Sequence, residues 1–317
     1  MIALVTGGAG FIGSHCVQTL ARKETDVNIN ILDNFQSGSE SNLESISGKI
    51  NLVRGDVRDF KLVKHLVADC DLVVHYAANA SVPASVENPL YDFETNALGT
   101  FNILEAARQS KKDVVIAYAS SAALYGDLTD MPLKEELCAR PISPYGVSKL
   151  CGENYCKLYH RIYGLKTVSL RYFNVFGPRQ PRYVMFDFLR KLSDNPHELE
   201  ILGSGKQVRD FIYVADAVNA TIMAANTPPA YGEAINVCTG VGTSVMDIAE
   251  SILDLLGLEK TEIVCTGKSW EGDADILVGD PSKLVNFGFR PKYPLGEGLR
   301  ELIKWYTKAF PTKLRLI

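Results

Sequence analysis

No stretch of this 317-residue sequence approaches the roughly 20 consecutive apolar residues that cross a bilayer, and no basic segment precedes its first apolar run. Neither a membrane helix nor a signal peptide is therefore expected. Cys-x-x-Cys is absent as well. The seven cysteines, at 16, 70, 138, 151, 156, 238 and 265, are odd in number and scattered, which argues against both a disulfide framework and a zinc site. They read as buried thiols, and no metal is expected. An excess of one charge is also missing. The 33 Lys and Arg against 37 Asp and Glu leave a net charge of −4, with no electrostatic footprint for nucleic acid or an anionic membrane. Repeats, low-complexity runs and flexible linkers are not found. What remains, at 46% hydrophobic and 22% charged residues, is the composition of a cytoplasmic globular protein long enough to form two lobes around a cleft.

The first fifteen residues organise the rest. Ile2 to Val5 is an apolar strand-forming run that leads directly into Gly7, Gly8, Gly10 and Gly13, after which Ile12, Cys16, Val17 and Leu20 recur at helical spacing. Strand, tight turn and helix in this order are the context in which Gly8-x-Gly10-x-x-Gly13 binds a dinucleotide. Glycines allow the turn, let backbone N–H groups approach a pyrophosphate and let helix and strand pack closely; the helix N-terminus adds oriented donors. Asp33 closes the second strand, 20 residues past Gly13. A carboxylate there accepts both ribose hydroxyls and repels a 2′-phosphate, which favours NAD over NADP. Cofactor-binding candidates are accordingly Gly7, Gly10, Phe11, Ile12, Gly13 and Asp33, followed by Asn34, Ser37 and Gly38 of a polar loop suited to the adenosine end.

Further strands are expected at 50–53, 72–75 and 114–118. Asp56 and Val57 follow the third, where Asp56 either reaches the adenine amino group or caps the next helix with Asp59. Ala77 and Ala78 follow the fourth and are small enough for a dinucleotide to pass; His75 reads as a core histidine. Residues 89–108 read as one helix with Phe93, Ala97, Phe101, Leu104 and Ala107 on its apolar stripe, and Asn96 on or near that stripe either bonds a strand or reaches the cofactor. The fifth strand runs into Ser120 and Ser121, which topology aims at the cleft. Tyr145 and Lys149 are one turn apart on a helix running to about Tyr163. An ammonium beside a phenol favours the phenolate and brings its pKa toward neutrality, which makes a general base for an alcohol.

In order and spacing these residues resemble the extended short-chain dehydrogenase/reductases, and within them the nucleotide-sugar 4-epimerases. The likeness runs nearly end to end: Thr6-Gly-Gly-Ala-Gly-Phe-Ile-Gly-Ser-His15, Asp33-Asn34, Gly55-Asp56-Val57, His75-Tyr-Ala-Ala78, Ser120-Ser121, Tyr145-x-x-x-Lys149, Arg171 to Arg179 and Arg209 to Tyr213. It implies a Rossmann-type doubly wound parallel sheet over 1–175, with 211–240 returning to it, and a smaller α/β substrate lobe over 176–317. By the same resemblance Tyr145 is the base, Lys149 holds the nicotinamide ribose and Ser121 bonds the sugar hydroxyl at C4. Tyr172 and Phe173 line the nicotinamide and sugar pocket, Asn174 and Arg209 contact the substrate diphosphate, and helices 90–108 and 145–163 form a homodimer interface.

The implied chemistry is a closed redox cycle on a UDP-hexose, most simply UDP-glucose to UDP-galactose through a 4-keto sugar. Other readings stay open: a 4-epimerase of a UDP-N-acetylhexosamine or UDP-uronic acid, a UDP-glucuronate decarboxylase, or a non-catalytic NAD-binding protein. A 4,6-dehydratase needs an acidic pair after the catalytic hydroxyl residue, where this chain has Ala122 and Ala123. Two departures bear on the substrate: Trp270 stands where the family has an arginine before Gly272-Asp273, and the segment from Gln180 to Val184 is short.

Overall fold

In the computed structural model, described for residues 1–23, 26–46, 50–267 and 275–311, each apolar run of the first half becomes a parallel strand, and the central ones are buried on both faces while the edge strand at 50–54 is not. The strands are β1 Ile2–Thr6, β2 Asn28–Asp33, β3 Ile50–Arg54, β4 Leu72–His75, β5 Val115–Ser121 and β6 Lys166–Tyr172. They are followed by β7 Asn174–Phe176, β8 Glu198–Ile201, β9 Val208–Tyr213, β10 Ala234–Val237, β11 Gly242–Ser244, β12 Glu262–Cys265 and β13 Ile276–Leu277. Seven of them form one sheet in the order β10-β6-β5-β4-β1-β2-β3, parallel at every pair. The order reverses between β1 and β4, and the crevice at such a switch point is where ligands sit in open α/β sheets.

Helices cover both faces. They are α1 Phe11–Lys23, α2 Phe60–Val67, α3 Val82–Glu87, α4 Pro89–Asp92, a π-helical turn Phe93–Leu98, α5 Gly99–Gln109 and α6 Pro144–Tyr163. After these come α7 Val184–Asp194, α8 Val214–Ala225, α9 Val245–Leu256, α10 Ser282–Asn286 and α11 Leu295–Ala309. One core packs α1 and α8 on the sheet, and another packs α2, α5 and α6 on the opposite face. A third, around Phe176, Phe188, Ile252 and Leu302, lies beneath β9, which pairs with β7, β11 and β13, and beneath the β8–β12 pair. β10 pairs with β6 and forms one edge of the large sheet.

The single helix expected over 89–108 is instead interrupted. The π turn adds a residue to the rotation, so the apolar stripe is broken and Phe93 is 55% exposed while Ala97, Leu104 and Ala107 are buried. Asp216 lies in the first turn of α8 and accepts the N–H groups of Lys292 and Tyr293, both at 2.9 Å. Cysteines 16, 70, 156 and 238 are buried as expected, whereas Cys138 and Cys265 are at the surface. Among the described residues no helix is long and apolar enough to cross a membrane, and no cluster of His, Cys, Asp or Glu has the makings of a metal site.

Candidate active site

A cleft of about 1370 Å³ opens at the carboxyl ends of β1, β4, β5 and β6, and its far wall comes from β7, β9 and α7. That exceeds the roughly 300–1,000 Å³ of an ordinary single-ligand pocket, and it leaves room for a dinucleotide and a second ligand together.

The near wall is the glycine turn. Gly7 has φ +68°, a Cβ on it would lie 2.7 Å from the Ala77 nitrogen, and one on Gly13 would lie 2.1 Å from the Gly7 carbonyl oxygen. No side chain fits at either position without moving backbone. The turn is fixed by hydrogen bonds from Gly7 N–H to Leu32 O at 2.8 Å and from Gly10 N–H to Gly7 O at 3.1 Å. Asp33 is buried beside it, accepting from Ala9 N–H at 2.9 Å and Phe35 N–H at 2.8 Å. Each carboxylate oxygen retains a further lone-pair direction for a ribose hydroxyl. Phe11, Ile12, Asn34, Ser37, Val57, Ala77, Ala78 and Tyr172 line the same wall. The buried Thr95 hydroxyl also faces the cleft with no protein partner. Cradle, acidic residue and unpartnered donor together fit a dinucleotide.

Three other cofactor candidates stand behind this wall. Gly38 packs against Asp33, where a Cβ would come within 3.0 Å of the carboxylate. Asp56 grips Arg58 through two bonds of 3.0 Å and accepts Asn34 Nδ2 at 3.0 Å. Partial burial pushes that carboxyl up, but the Arg58 guanidinium and the Arg58 N–H outweigh it and hold it below the usual range. Asn96 is a brace: its amide donates to Asp92 at 2.9 Å, Ser148 at 3.1 Å and the Asn79 carbonyl at 3.2 Å, while its oxygen accepts Asn79 N–H at 2.8 Å. These partners lie on α4, on α6 and on the loop after β4, not on a neighbouring strand. His75 is the core histidine expected, bonded to Thr6 at 2.7 Å and Thr100 at 3.1 Å, and burial drops its pKa to about 3.

The reactive-looking groups sit where the two walls meet. Ser143 caps α6 by accepting Gly146 N–H at 3.1 Å, and Pro144 occupies the first turn, so the helix begins with Tyr145 facing the cleft. Gly152 lets α6 lie against β5; a Cβ there would be 2.4 Å from the Tyr118 hydroxyl. Lys149 is buried and donates to the Ala119 carbonyl at 2.7 Å. Below it Arg171 holds Glu153 at 2.5 and 3.1 Å and donates to the Tyr125 hydroxyl at 2.8 Å, while Ser120 donates to Glu153 at 2.9 Å. Ser120 is thus part of the support for α6. Ser121, one residue on, accepts Ala123 N–H at 3.1 Å and turns its hydroxyl toward Tyr145.

A phenol brought toward neutrality by its lysine is not what the protein alone contains. Burial pushes Tyr145 well up, with Ser121 acting in the opposite sense. Burial also brings Lys149 down to about 8, with the Asp92 carboxylate opposing that shift. Burial is the largest cause of both shifts.

The far wall carries the substrate candidates. Phe173 lines it, and the buried Asn174 amide nitrogen and Gln207 amide oxygen have no protein partner. Arg209 lies at the rim, where its guanidinium donates to the Val208 carbonyl at 2.8 Å and the Asp275 carbonyl at 3.3 Å. Trp270 lies outside the described residues. Sequence reasoning missed Arg182 and Tyr183, which reach the cleft from the short segment before α7. The positive φ of Tyr183 hides from any pattern that expects glycine at such a position.

Residues 3–238 match the family model described as the NAD dependent epimerase/dehydratase family. A putative UDP-glucose 4-epimerase of Methanocaldococcus jannaschii is 40% identical over 95% of this chain and 97% of its own length. Among solved structures, a UDP-N-acetylglucosamine 4-epimerase from Methanobrevibacter ruminantium, in complex with UDP-N-acetylmuramic acid, superposes with a TM-score of 0.89 at 35% identity, covering 97% of this chain and 98% of that one. A UDP-glucose 4-epimerase from Thermotoga maritima with UDP-glucose gives a TM-score of 0.90 at 33% identity over 98% of this chain and all of its own. With the glycine cradle, Asp33 and the Tyr145–Lys149 pair on one cleft, the chain belongs to the NAD-dependent epimerase/dehydratase family.

Proposed function

We propose that this enzyme is a UDP-hexose 4-epimerase that interconverts UDP-glucose and UDP-galactose through a transient 4-keto sugar. The observation that carries the reading is the convergence of Tyr145, Lys149 and Ser121 on one cleft with the glycine turn, with the uncharged Ala122 and Ala123 directly after Ser121. Bound NAD supplies the hydride acceptor and, in its oxidised form, a positive ring. Lys149, pinned on Ala119, would hold the nicotinamide ribose and add a second positive charge, so that the Tyr145 phenol would give up its proton more readily with the cofactor bound. Ser121 orients the sugar C4 hydroxyl toward Tyr145, which takes its proton and later returns one to O4, once the turned-over ketone is reduced on its opposite face. Alanines at 122 and 123 provide no acid or base for eliminating C6 water, which separates this site from a 4,6-dehydratase. Asn174 and Gln207 offer a buried donor and acceptor to the nucleotide end, and Arg209 offers its guanidinium to the diphosphate.

The second reading worth keeping is the N-acetylated substrate pair. Ala122, Ala123 and Gly126 line the cleft beside Ser121 with small side chains, and one of the solved relatives is a UDP-N-acetylglucosamine 4-epimerase. The enzyme works as a cytoplasmic homodimer: Leu90, Phe93, Leu158 and Ile162 expose an apolar face across the packed helices of 89–109 and α6, the face that a second copy covers. Incubation with UDP-glucose, with UDP-N-acetylglucosamine and with UDP-glucuronate, each without added reductant, followed by chromatography, tests these readings. Formation of the galacto epimer without net NADH supports the epimerase. Steady NADH release, or pentose product from UDP-glucuronate, would replace it with a dehydrogenase or decarboxylase, and analytical ultracentrifugation tests the dimer.

A further inference from the structure

Between β7 and α7 the chain crosses in front of the cleft. Its first part is anchored: Arg179, at φ +68°, donates to Ser14 at 3.2 Å and Gln18 at 3.1 Å on α1. Tyr183, immediately before α7, has φ 77° and ψ 171°, a region that residues with a Cβ occupy only when something holds them there. Packing is a weak hold, because Tyr183 is 53% exposed. Its phenol instead reaches across the cleft mouth and donates to the Ala80 carbonyl, on the loop after β4, at 2.7 Å. The Arg182 guanidinium lies 5.1 Å from the centroid of its ring. Tyr183 is also near enough to Tyr145 to oppose ionisation of the Tyr145 phenol.

We propose that Tyr183 is a substrate-retaining residue, a bar between the two walls that keeps the oxidised sugar inside the cleft until it is reduced again. The inference rests on the 4-epimerase reading. In that cycle the sugar C4–H leaves as hydride to bound NAD while the O4–H proton passes to Tyr145, and the product is a ketone with no covalent tie to the protein. The ketone must turn over within the site. If it escapes first, the cofactor stays reduced and the enzyme is stranded. A retaining element must nevertheless open once per turnover to exchange substrate. One exposed hydrogen bond on a strained backbone meets both demands, since little free energy separates its closed and open states.

The test uses the NAD-loaded enzyme and two substitutions. Tyr183→Gly removes the bar and relieves the backbone, whereas Tyr183→Phe keeps the ring and loses only the bond to Ala80. During turnover of UDP-galactose, enzyme-bound reduced nicotinamide is expected to build up about 5- to 10-fold faster in Tyr183→Gly and about 3-fold faster in Tyr183→Phe, with activity decaying in step. Binding is read separately by calorimetry in a Tyr145→Phe background, where UDP-glucose should bind about 5-fold more weakly once Tyr183→Gly is added. Unchanged nicotinamide reduction in both variants overturns the proposal. So does a fall in kcat with no reduced cofactor and no change in binding, which would mark a role in the chemical step. If the unmodified protein neither binds nor converts any UDP-hexose, the 4-epimerase reading has failed and the retaining role falls with it.

Discussion

The two walls of the cleft are finished to different degrees. On the near wall the glycine turn is closed by its own backbone bonds and Asp33 already accepts two N–H groups, so most of its polar groups are satisfied in the protein alone. On the far wall Asn174 and Gln207 hold buried polar atoms with no protein partner, and Tyr183 keeps a strained backbone on a single exposed bond. A resident cofactor is met by a preformed cradle, while an exchanging substrate completes a wall that is costly to leave empty. The difference teaches where each kind of ligand gets its affinity.

The sharpest way to break the comparison is at the seam. Tyr145→Phe should lower kcat by about 10²- to 10⁴-fold, the usual contribution of a positioned acid–base group, and leave the KM for UDP-galactose within a few-fold. A large KM change would place Tyr145 in the substrate wall instead. On the preformed side, Gly13→Ala puts a methyl 2.1 Å from the Gly7 carbonyl. Relief of that overlap costs about 1–3 kcal/mol, so NAD affinity by fluorescence titration should fall about 10- to 100-fold. Asn174→Ala tests the incomplete side. It removes an unpartnered donor, so KM should rise about tenfold while thermal stability holds or improves; a loss of stability would show that Asn174 serves the fold.

The smallest effect concerns acid. His15 falls to about 4 through burial, with the nearby Arg179 charge adding to it, and His75 falls to about 3 through burial. Both folded values lie below the unfolded one, so the unfolded chain takes up these protons first. Their contribution is intact above about pH 6.5 and is lost as pH falls toward 4, at about 1.4 kcal/mol per pH unit for each proton taken up. Urea midpoints measured across that range should decline, and His75→Gln should flatten the slope. Both histidines belong to the near half, so hydrogen exchange at pH 5 should loosen β4 and α1 before β9 and α9.

The near wall was also the more legible in the sequence. Gly7, Gly10, Gly13 and Asp33 on that wall, and Ser121, Tyr145 and Lys149 at the seam, lie in local patterns whose spacing is set by one turn or one strand end, and each lines the cleft. Asn96, Asp56 and Gly38 lie in similar patterns but stand behind the wall, because their partners (Asn79, Ser148, Arg58, Asp33) are chosen by tertiary contacts that no local period encodes. The π turn was invisible for a similar reason: a helix that gains one residue keeps the composition of an ordinary helix. The tyrosine pKa misled because spacing reports the neighbour but not the burial, and burial dominated.

The place of β10 bears on biosynthesis. Residues 234–237 supply an edge of the seven-stranded sheet, yet β7, α7, β8, β9 and α8 all precede them in the chain. During translation the outer side of β6 stays bare until Val237 has left the ribosome, while much of the other half has already emerged. The near half therefore cannot mature as an independent unit ahead of its neighbour. A nascent chain arrested before Ala234 should recruit chaperones to β6, and a gene split between β6 and β7 should yield an amino-terminal fragment that aggregates through that unpaired edge.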